Sequence, residues 1–243
     1  MVTLKGTMKH LIKSKNPSSL GISEYNRIIL NSATDGVIAK RAEYVDLGLP
    51  SGLKWAKCNV GAKKETDYGY YFQWGDIVDK SNSNCNWENY KYCNGSHNTL
   101  TKYCTDTEDD SYGTVDDKRT LEPMDDAARV YMGSEWRMPT ITDFQELLEH
   151  TTNVWVENFN ESGIGGRKFT STTDTSKYIF IPASLERSVF STYVTVPMYS
   201  IWSSSLRTSF PSYAEVLYFD SYTIRTAGGN SRSYGLPVRG VCN

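Results

Sequence analysis

The chain has 243 residues and a formal net charge of -2 at pH 7, a length that suits one large domain, with or without a small N-terminal segment. The charge argues against a nucleic-acid or anionic-membrane partner held by bulk electrostatics. No stretch reaches the roughly 18 apolar residues of a membrane span, and the first residues lack a signal-peptide core, so we expect no membrane insertion. Tyr (17) and Trp (6) outweigh Phe (8), a balance common in β-rich binding proteins.

The cysteines follow no metal-ligand spacing. Their number is odd, at five: Cys58, Cys85, Cys93, Cys104 and Cys242. We expect ordinary reduced thiols, and a disulfide or metal site among Cys85, Cys93 and Cys104 is the alternative.

Residues 1–42 differ in character from the rest of the chain. Residues 24–33 could form a short helix capped by Ser23. Such a segment is too small to fold alone. It is therefore either an arm that packs on the following domain or an attachment and trimerisation segment.

From Glu43 the sequence takes on a strand-like pattern. Two short strands, Tyr44 to Leu47 and Leu53 to Cys58, are predicted on either side of a turn, and Tyr68 to Trp74 forms a third, aromatic strand. We expect its aromatic side chains to pack in the core and between strands rather than to bind a ligand.

Residues 77–119 show little periodicity, and a loop of this length in a compact domain is usually functional or stabilised by its own contacts. Its acidic side chains could offer oxygen ligands to a structural Ca²⁺, but their order is not that of an EF-hand, and a solvated acidic loop is the other interpretation. These residues are Asp106, Glu108, Asp109, Asp110, Asp116 and Asp117.

Two helices are predicted next. The first covers residues 121–133, begins at a Thr120 cap and ends at Gly133. Its buried side is predicted to carry Met124, Ala127, Ala128 and Tyr131.

The second predicted helix covers residues 139–151, with Thr140 or Thr142 as its cap. Its apolar stripe is formed by Phe144, Leu147 and Leu148, and His150 at its end is interpreted as a surface residue.

The remainder of the chain is rich in strand signals separated by Gly, Ser, Asn or Pro. The predicted strands are 154–159, 167–172, 177–184, 189–196, 201–206, 214–219, 223–226 and 236–242. Two helices followed by many short strands indicate an α+β domain.

Several stretches together resemble one known family. They are 43–62, 68–76, 125–148, 178–184, 201–206 and 235–241. In this order they are similar to the Fibrobacter-type major paralogous domain, abundant in Bacteroidetes. The resemblance covers residues 43–243 and implies a C-type-lectin-like fold with two helices and several short antiparallel strands, related to formylglycine-generating enzymes.

The last 45 residues further resemble the variable regions of proteins diversified by retroelements, which include phage tail-fibre tip proteins. Those systems randomise adenines, typically in codons that end in a pyrimidine, which cannot encode Lys, Glu, Gln, Met or Trp. After Trp202 the chain has no Lys, Gln, Met or Trp and a single Glu, Glu215. Glu215 departs from the pattern and would be a fixed or differently encoded position.

Catalytic chemistry finds little support. A formylglycine-generating enzyme needs a reactive cysteine site near the C-terminal region, but only Cys242 lies there, with no second cysteine near it. The hydroxyls of Ser203, Ser204 and Ser205 have no nearby His and are interpreted as strand-packing groups. The signatures of calcium-dependent sugar binding are also missing. We therefore expect a protein that is not an enzyme and needs no cofactor, the structural Ca²⁺ aside.

The proposed variable region, residues 199–234, is the candidate binding surface. If Trp202, Leu206, Leu217, Phe219, Leu236 and Val238 point inward, the intervening side chains project outward, whereas Arg225, Arg232 and Arg239 are interpreted as scaffold residues. The candidate contact residues are Tyr199, Ile201, Arg207, Phe210, Ser212, Tyr213, Glu215, Tyr218, Asp220, Tyr222, Thr226, Ser231, Ser233 and Tyr234. Tyr and small polar residues on a rigid scaffold are the composition of antibody paratopes.

The resemblance implies a receptor-binding protein at a phage tail-fibre tip, located in the virion. Its partner would be a bacterial surface protein or polysaccharide, and residues 1–42 would join the fibre as a homotrimer. The alternative is an adhesin or glycan-binding module on the bacterial cell surface.

Overall fold

A computed structural model describes residues 42–105, 112–187 and 199–243. The predictions for residues 1–41, for Asp106, Glu108, Asp109 and Asp110, and for the strand at 189–196 lie outside these residues. Ala42–Asn243 forms one compact unit.

The described ranges contain thirteen strands and two α-helices. The strands are β1 (Tyr44–Asp46), β2 (Lys54–Asn59), β3 (Tyr71–Phe72), β4 (Trp136–Arg137), β5 (Thr151–Val156), β6 (Gly166–Ser171), β7 (Tyr178–Pro182), β8 (Tyr199–Leu206), β9 (Tyr213–Phe219), β10 (Ile224–Arg225), β11 (Gly229–Ser231), β12 (Leu236–Pro237) and β13 (Arg239–Cys242). The helices are α1 (Ala127–Met132) and α2 (Ile141–His150). Short 3₁₀ turns lie at Trp87–Asn89, Pro123–Asp125 and Phe159–Glu161.

The thirteen strands named above pair only antiparallel. Mostly antiparallel sheets with two helices in the described ranges correspond to a roughly α+β or mainly β protein, so the predicted class is confirmed at this coarser level. One sheet has the order β1-β2-β13-β4 and another the order β5-β6-β7. β9 pairs with β8 along one edge and with β10 and β11 along the other, and β3 pairs with β12.

The hairpin of β8 and β9 lies between two apolar clusters. Trp202 of β8 and Val216 of β9 pack in the cluster that contains Trp74. Their neighbours Ile201 and Leu217 pack in the cluster of β1, β2, α2 and β6. The hairpin is thus buried on both faces, and strands of this kind are apolar at successive positions instead of alternate ones.

The second helix begins as predicted. Thr140 accepts a hydrogen bond from the N–H of Asp143, and the Asp143 carboxylate accepts one from the N–H of Thr140, which is a capping box. Phe144 and Leu147 are buried, Leu148 packs against them, and His150 is exposed.

The first helix is shorter than predicted. Its cap is Asp126, whose side chain accepts the N–H of Arg129, and not Thr120. Because Pro123 starts a separate 3₁₀ turn, Met124 precedes the helix and is exposed; the prediction that it is buried was wrong. Tyr131 was also predicted to be buried but is exposed at the rim, where its hydroxyl donates to the carbonyl of Ile77.

The described part of the 77–119 insert has a small core of its own, formed by Tyr90, Leu100 and Cys104. Asp116, one of the candidate Ca²⁺ ligands, instead accepts the backbone N–H groups of Tyr103 and Cys104. Among the described residues, no group of three or more His, Cys, Asp or Glu could hold a metal ion. Likewise, no helix in the described ranges combines the length and apolar character needed to cross a bilayer.

Candidate functional site

The candidate surface is built on the β8–β9 hairpin, which two buried tryptophans fix to the strand before the insert. The indole of Trp202 donates to the carbonyl of Phe72 at 2.7 Å, and that of Trp74 donates to the carbonyl of Ser203 at 2.8 Å. The six side chains predicted to point inward are all buried. The hairpin therefore gives the loops at its two ends a fixed base.

Of the three serines after Trp202, Ser204 and Ser205 attach the hairpin to the start of α2, and Ser203 bonds within the hairpin. The register of β8 against β9 shifts between Trp202 and Leu206. At this bulge Ser203 donates to the carbonyl of Glu215, and the Ser205 hydroxyl accepts the N–H of Ile141 at the start of α2. These hydroxyls bond to backbone groups, as strand-packing residues do.

Residues 207–213, which are the loop between β8 and β9 with the first residue of β9, form a compact turn that we call the first contact loop. The N–H of Phe210 bonds to the carbonyl of Arg207 at 3.0 Å, and the N–H of Tyr213 bonds to the carbonyl of Phe210 at 2.8 Å. The Thr105 hydroxyl of the insert donates to the carbonyl of Thr208 at 2.7 Å. The loop is thus held by its own backbone and by the insert beneath it.

Arg232 lies under the first contact loop and is fully buried. Its guanidinium donates to the carbonyl of Pro211 in the loop, and to the carbonyls of Lys102 and Tyr103 and the hydroxyl of Tyr90 in the insert, all at 2.8–2.9 Å. The group also lies over the Trp74 ring at 4.9 Å. Arg232 thus ties the loop to the insert, as its interpretation as a scaffold residue predicts.

The turn between β9 and β10, residues 220–223, is the second contact loop. One oxygen of Asp220 accepts the N–H groups of Tyr222 and Thr223, both at 2.6 Å. Arg167 of β6 donates to the carbonyls of Asp220 and Thr223 at 3.1 and 3.0 Å. Burial lowers the pKa of the Arg167 guanidinium, and the nearby Asp220 opposes that shift. A second buried arginine thus supports the second loop.

Three of the predicted contact residues are strongly exposed: Phe210 at 49 %, Tyr213 at 42 % and Tyr222 at 91 %. Those of intermediate exposure are Tyr199, Arg207, Glu215, Tyr218, Asp220, Thr226 and Tyr234. Tyr199 stacks on Trp155 with the ring centroids 5.9 Å apart, so much of this side chain packs on its own domain.

Four predicted contact residues are buried and present no surface to a ligand: Ile201, Ser212, Ser231 and Ser233. Ile201 belongs to the core because the hairpin is covered on both faces. The carbonyl of Ser212 accepts a hydrogen bond from the N–H of Arg232. The hydroxyls of Ser231 and Ser233, on either side of the buried Arg232, bond to each other at 3.0 Å.

Two arginine–aromatic pairs belong to the candidate surface, one within the first contact loop and one between β9 and β10. The guanidinium of Arg207 is 5.5 Å from the Phe210 ring, and that of Arg225 is 5.4 Å from the Tyr218 ring. Arg225, which is interpreted as a scaffold residue, is exposed and lies over a ring of its own domain. Burial raises the pKa of Tyr218 to about 12, so its phenol is neutral, and it donates to the carbonyl of Gly229.

Glu215, the residue that departs from the codon pattern, faces the same area. Burial raises the pKa of its carboxyl, and Arg207 partly offsets that effect. The area therefore combines aromatic rings with separated charges of both signs, a composition suited to contact with a polar macromolecular surface.

The insert is itself fastened to the start of α1 through Asp125, which is buried. Its carboxylate accepts hydrogen bonds from Tyr103 and Lys102, both at 2.6 Å, from Lys91 at 3.0 Å and from Tyr92. The Asp125 network thus holds the insert residues that in turn bind Arg232.

Sequence reasoning missed Arg167, Asp125 and the insert residues that contact Arg232. No local signal marks Arg167, because Arg-Lys at the start of β6 resembles any strand with charged residues. Only the long-range register brings Arg167 beneath residues 220–223.

Comparison of the chain with family models, with curated proteins and with solved structures gave no match.

Proposed function

We propose that residues 43–243 adopt a C-type-lectin-like fold and bind a bacterial surface molecule through the two contact loops and the strand surface between them. The protein would be the receptor-binding tip of a phage tail fibre, diversified by a retroelement. One observation within residues 199–234 carries this proposal. The side chains of Phe210, Tyr213 and Tyr222 are exposed, whereas buried arginines hydrogen-bond to the backbone carbonyls of their loops.

Physical chemistry supports a binding role for such a surface. Tyrosine offers a large contact area with few rotatable bonds, so little side-chain freedom is lost when it docks. Loops that are already ordered add little further ordering cost on binding. In this proposal residues 1–42 attach the domain to the fibre as a homotrimer.

The direct test is adsorption of the purified protein to a panel of Bacteroidetes cells. Tyr213→Ala and Tyr222→Ala should each weaken binding to a responsive strain by about tenfold or more, as interface hot spots do. Tyr44→Ala is the matched control because Tyr44 is as exposed, at 52 %, but lies on β1. Adsorption unchanged in both tyrosine variants, with the fold intact, would remove these residues from the site.

The gene offers a second test. A near-identical template repeat beside a reverse-transcriptase gene, differing from codons 199–234 at adenines, would support the proposal. A secretion signal encoded upstream of Met1 would contradict the virion location.

A further inference from the structure

We infer that Arg232 and Arg167 are positioning residues that hold the two contact loops separately, each through backbone carbonyls of its own loop. This goes beyond the proposed function, because it concerns how the loops are held whatever they bind. Only the binding arm of the test below depends on the proposed function.

Both arginines donate to backbone carbonyls of the contact loops. Arg232 reaches the carbonyl of Pro211 and receives further support through its own N–H, which bonds to the carbonyl of Ser212 at 3.0 Å. Arg167 reaches the carbonyls of Asp220 and Thr223. In both loops the anchored atoms belong to the main chain, which every amino acid shares. The anchors therefore do not depend on which side chain stands at Phe210, Tyr213 or Tyr222.

The two arginines are attached to different parts of the domain. Apart from the loop itself, Arg232 is tied to Tyr90, Lys102 and Tyr103 of the insert. Arg167 instead belongs to the β5-β6-β7 sheet, where its third contact is the Asn153 side chain at 3.3 Å. Within the described part of the chain, the hydrogen bonds of the two guanidinium groups thus have no partner residue in common. Loosening one loop should leave the other as it was.

The hydrogen bonds of Arg232 require the guanidinium group of arginine. A guanidinium has five donors in a rigid planar fork, whereas a lysine ammonium is a compact group with three. Arg232 uses its Nε and both terminal nitrogens on four acceptors that lie in two parts of the chain. Lysine keeps the charge and the aliphatic stem but cannot span these acceptors. Arg→Lys is therefore a conservative change that removes the proposed role.

The experiment measures amide hydrogen exchange in the folded protein for wild type, Arg232→Lys and Arg167→Lys. In Arg232→Lys, the amides of Phe210 and Tyr213 should exchange faster by about tenfold or more, the factor for about 1.4 kcal/mol. In Arg167→Lys, the amides of Tyr222 and Thr223 should show this acceleration instead. The amide of Leu217, in the buried hairpin, should keep its protection in both variants.

This pattern separates positioning from a purely structural role. A residue that only stabilises the fold would accelerate exchange in both loops and in β9 together. That outcome would overturn the inference, as would unchanged exchange in the loop assigned to each arginine.

Milder variants cover the case in which an Arg→Lys protein fails to fold. Tyr90→Phe is nearly isosteric and removes the hydroxyl that accepts the Nε–H of Arg232 and donates to the carbonyl of Trp74. Asn153→Ala removes only one side-chain contact of Arg167. Faster exchange confined to the corresponding loop supports the inference, and acceleration spread over both loops contradicts it.

Adsorption to responsive cells then links position to binding. If each Arg→Lys variant loosens its own loop and also weakens adsorption, both the inference and the proposed function are supported. If exchange changes as expected but adsorption by both variants is unchanged, the positioning role stands and the proposed binding surface is wrong.

Discussion

Replacing Asp125 by Asn should destabilise the domain strongly without changing its shape. The buried carboxylate accepts four hydrogen bonds, two from lysines and two from tyrosines, and the neutral amide of Asn cannot accept them all. Removing one partner of a buried ion pair costs about 3–5 kcal/mol. Because the Lys91 side chain is 36 % exposed and that of Lys102 18 %, we expect the lower end, about 3 kcal/mol.

The assay is urea and thermal unfolding of Ala42–Asn243 within the full chain. A loss of about 3 kcal/mol corresponds to a fall in Tm of about 6–12 °C for a domain of this size, with an unchanged urea m-value. Asp117→Asn is the matched control, because Asp117 is exposed and its positive φ of 52° is one that Asn tolerates well. Equal stability of the two variants would refute the reasoning.

The effect of Asp125 should also depend on pH. Burial alone would raise the pKa of this carboxyl, but hydrogen bonds from Lys102, Tyr103 and Tyr92 outweigh burial and hold the pKa below its usual range. The stabilisation is therefore present above the unfolded pKa of about 3.9 and is lost as the pH falls through the lower folded value. The stability difference between wild type and Asp125→Asn should begin to shrink below about pH 4 and should continue to shrink as the pH falls towards the folded pKa. A difference that stays constant down to pH 2 would contradict this account.

Two further predictions concern single positions. Gly113→Ala should lower the urea midpoint several times more than Gly52→Ala. A Cβ at Gly113 would lie 2.1 Å from the carbonyl oxygen of Leu100, whereas a Cβ at Gly52 would have no atom within 4 Å. The cost at Gly52 is therefore only that of placing alanine at a φ of +74°, about 1–2 kcal/mol. Similar midpoints for these two variants would contradict the steric argument. Glu215→Gln should raise the Tm relative to wild type at pH 7.5 but not at pH 4. Burial raises the pKa of Glu215, so its ionisation costs stability as the pH rises through the pKa of the folded state. A variant that is less stable than wild type at pH 7.5 would show that the charge is favourable.

Local signals were sufficient for much of the fold. The threonines before the apolar stripe predicted the start of α2 at Thr140 or Thr142, and the structure has the cap at Thr140. Apolar runs bounded by Gly, Ser and Pro predicted most strands that the structure describes. Arg232 and Arg239 were correctly interpreted as scaffold residues. Arg239 is fully buried and donates to the carbonyls of Ala56 and Phe180, and burial lowers its pKa to about 10.

The failures have physical causes that a single sequence does not display. Ile201 was predicted to face outward because it neighbours the inward-facing Trp202, and that rule assumes one solvated face. β8 has none, because a second apolar cluster covers its other side.

The position of β13 has a consequence for the order of folding. This strand, Arg239–Cys242, lies between β2 and β4 and not at an edge, so Val241 pairs with Trp55 across nearly the whole domain. Contacts so distant in sequence form late and slow the folding of a domain. The sheet that begins with β1 cannot close until residues 199–234 have been synthesised, so any change in that region is already present when the domain completes its core.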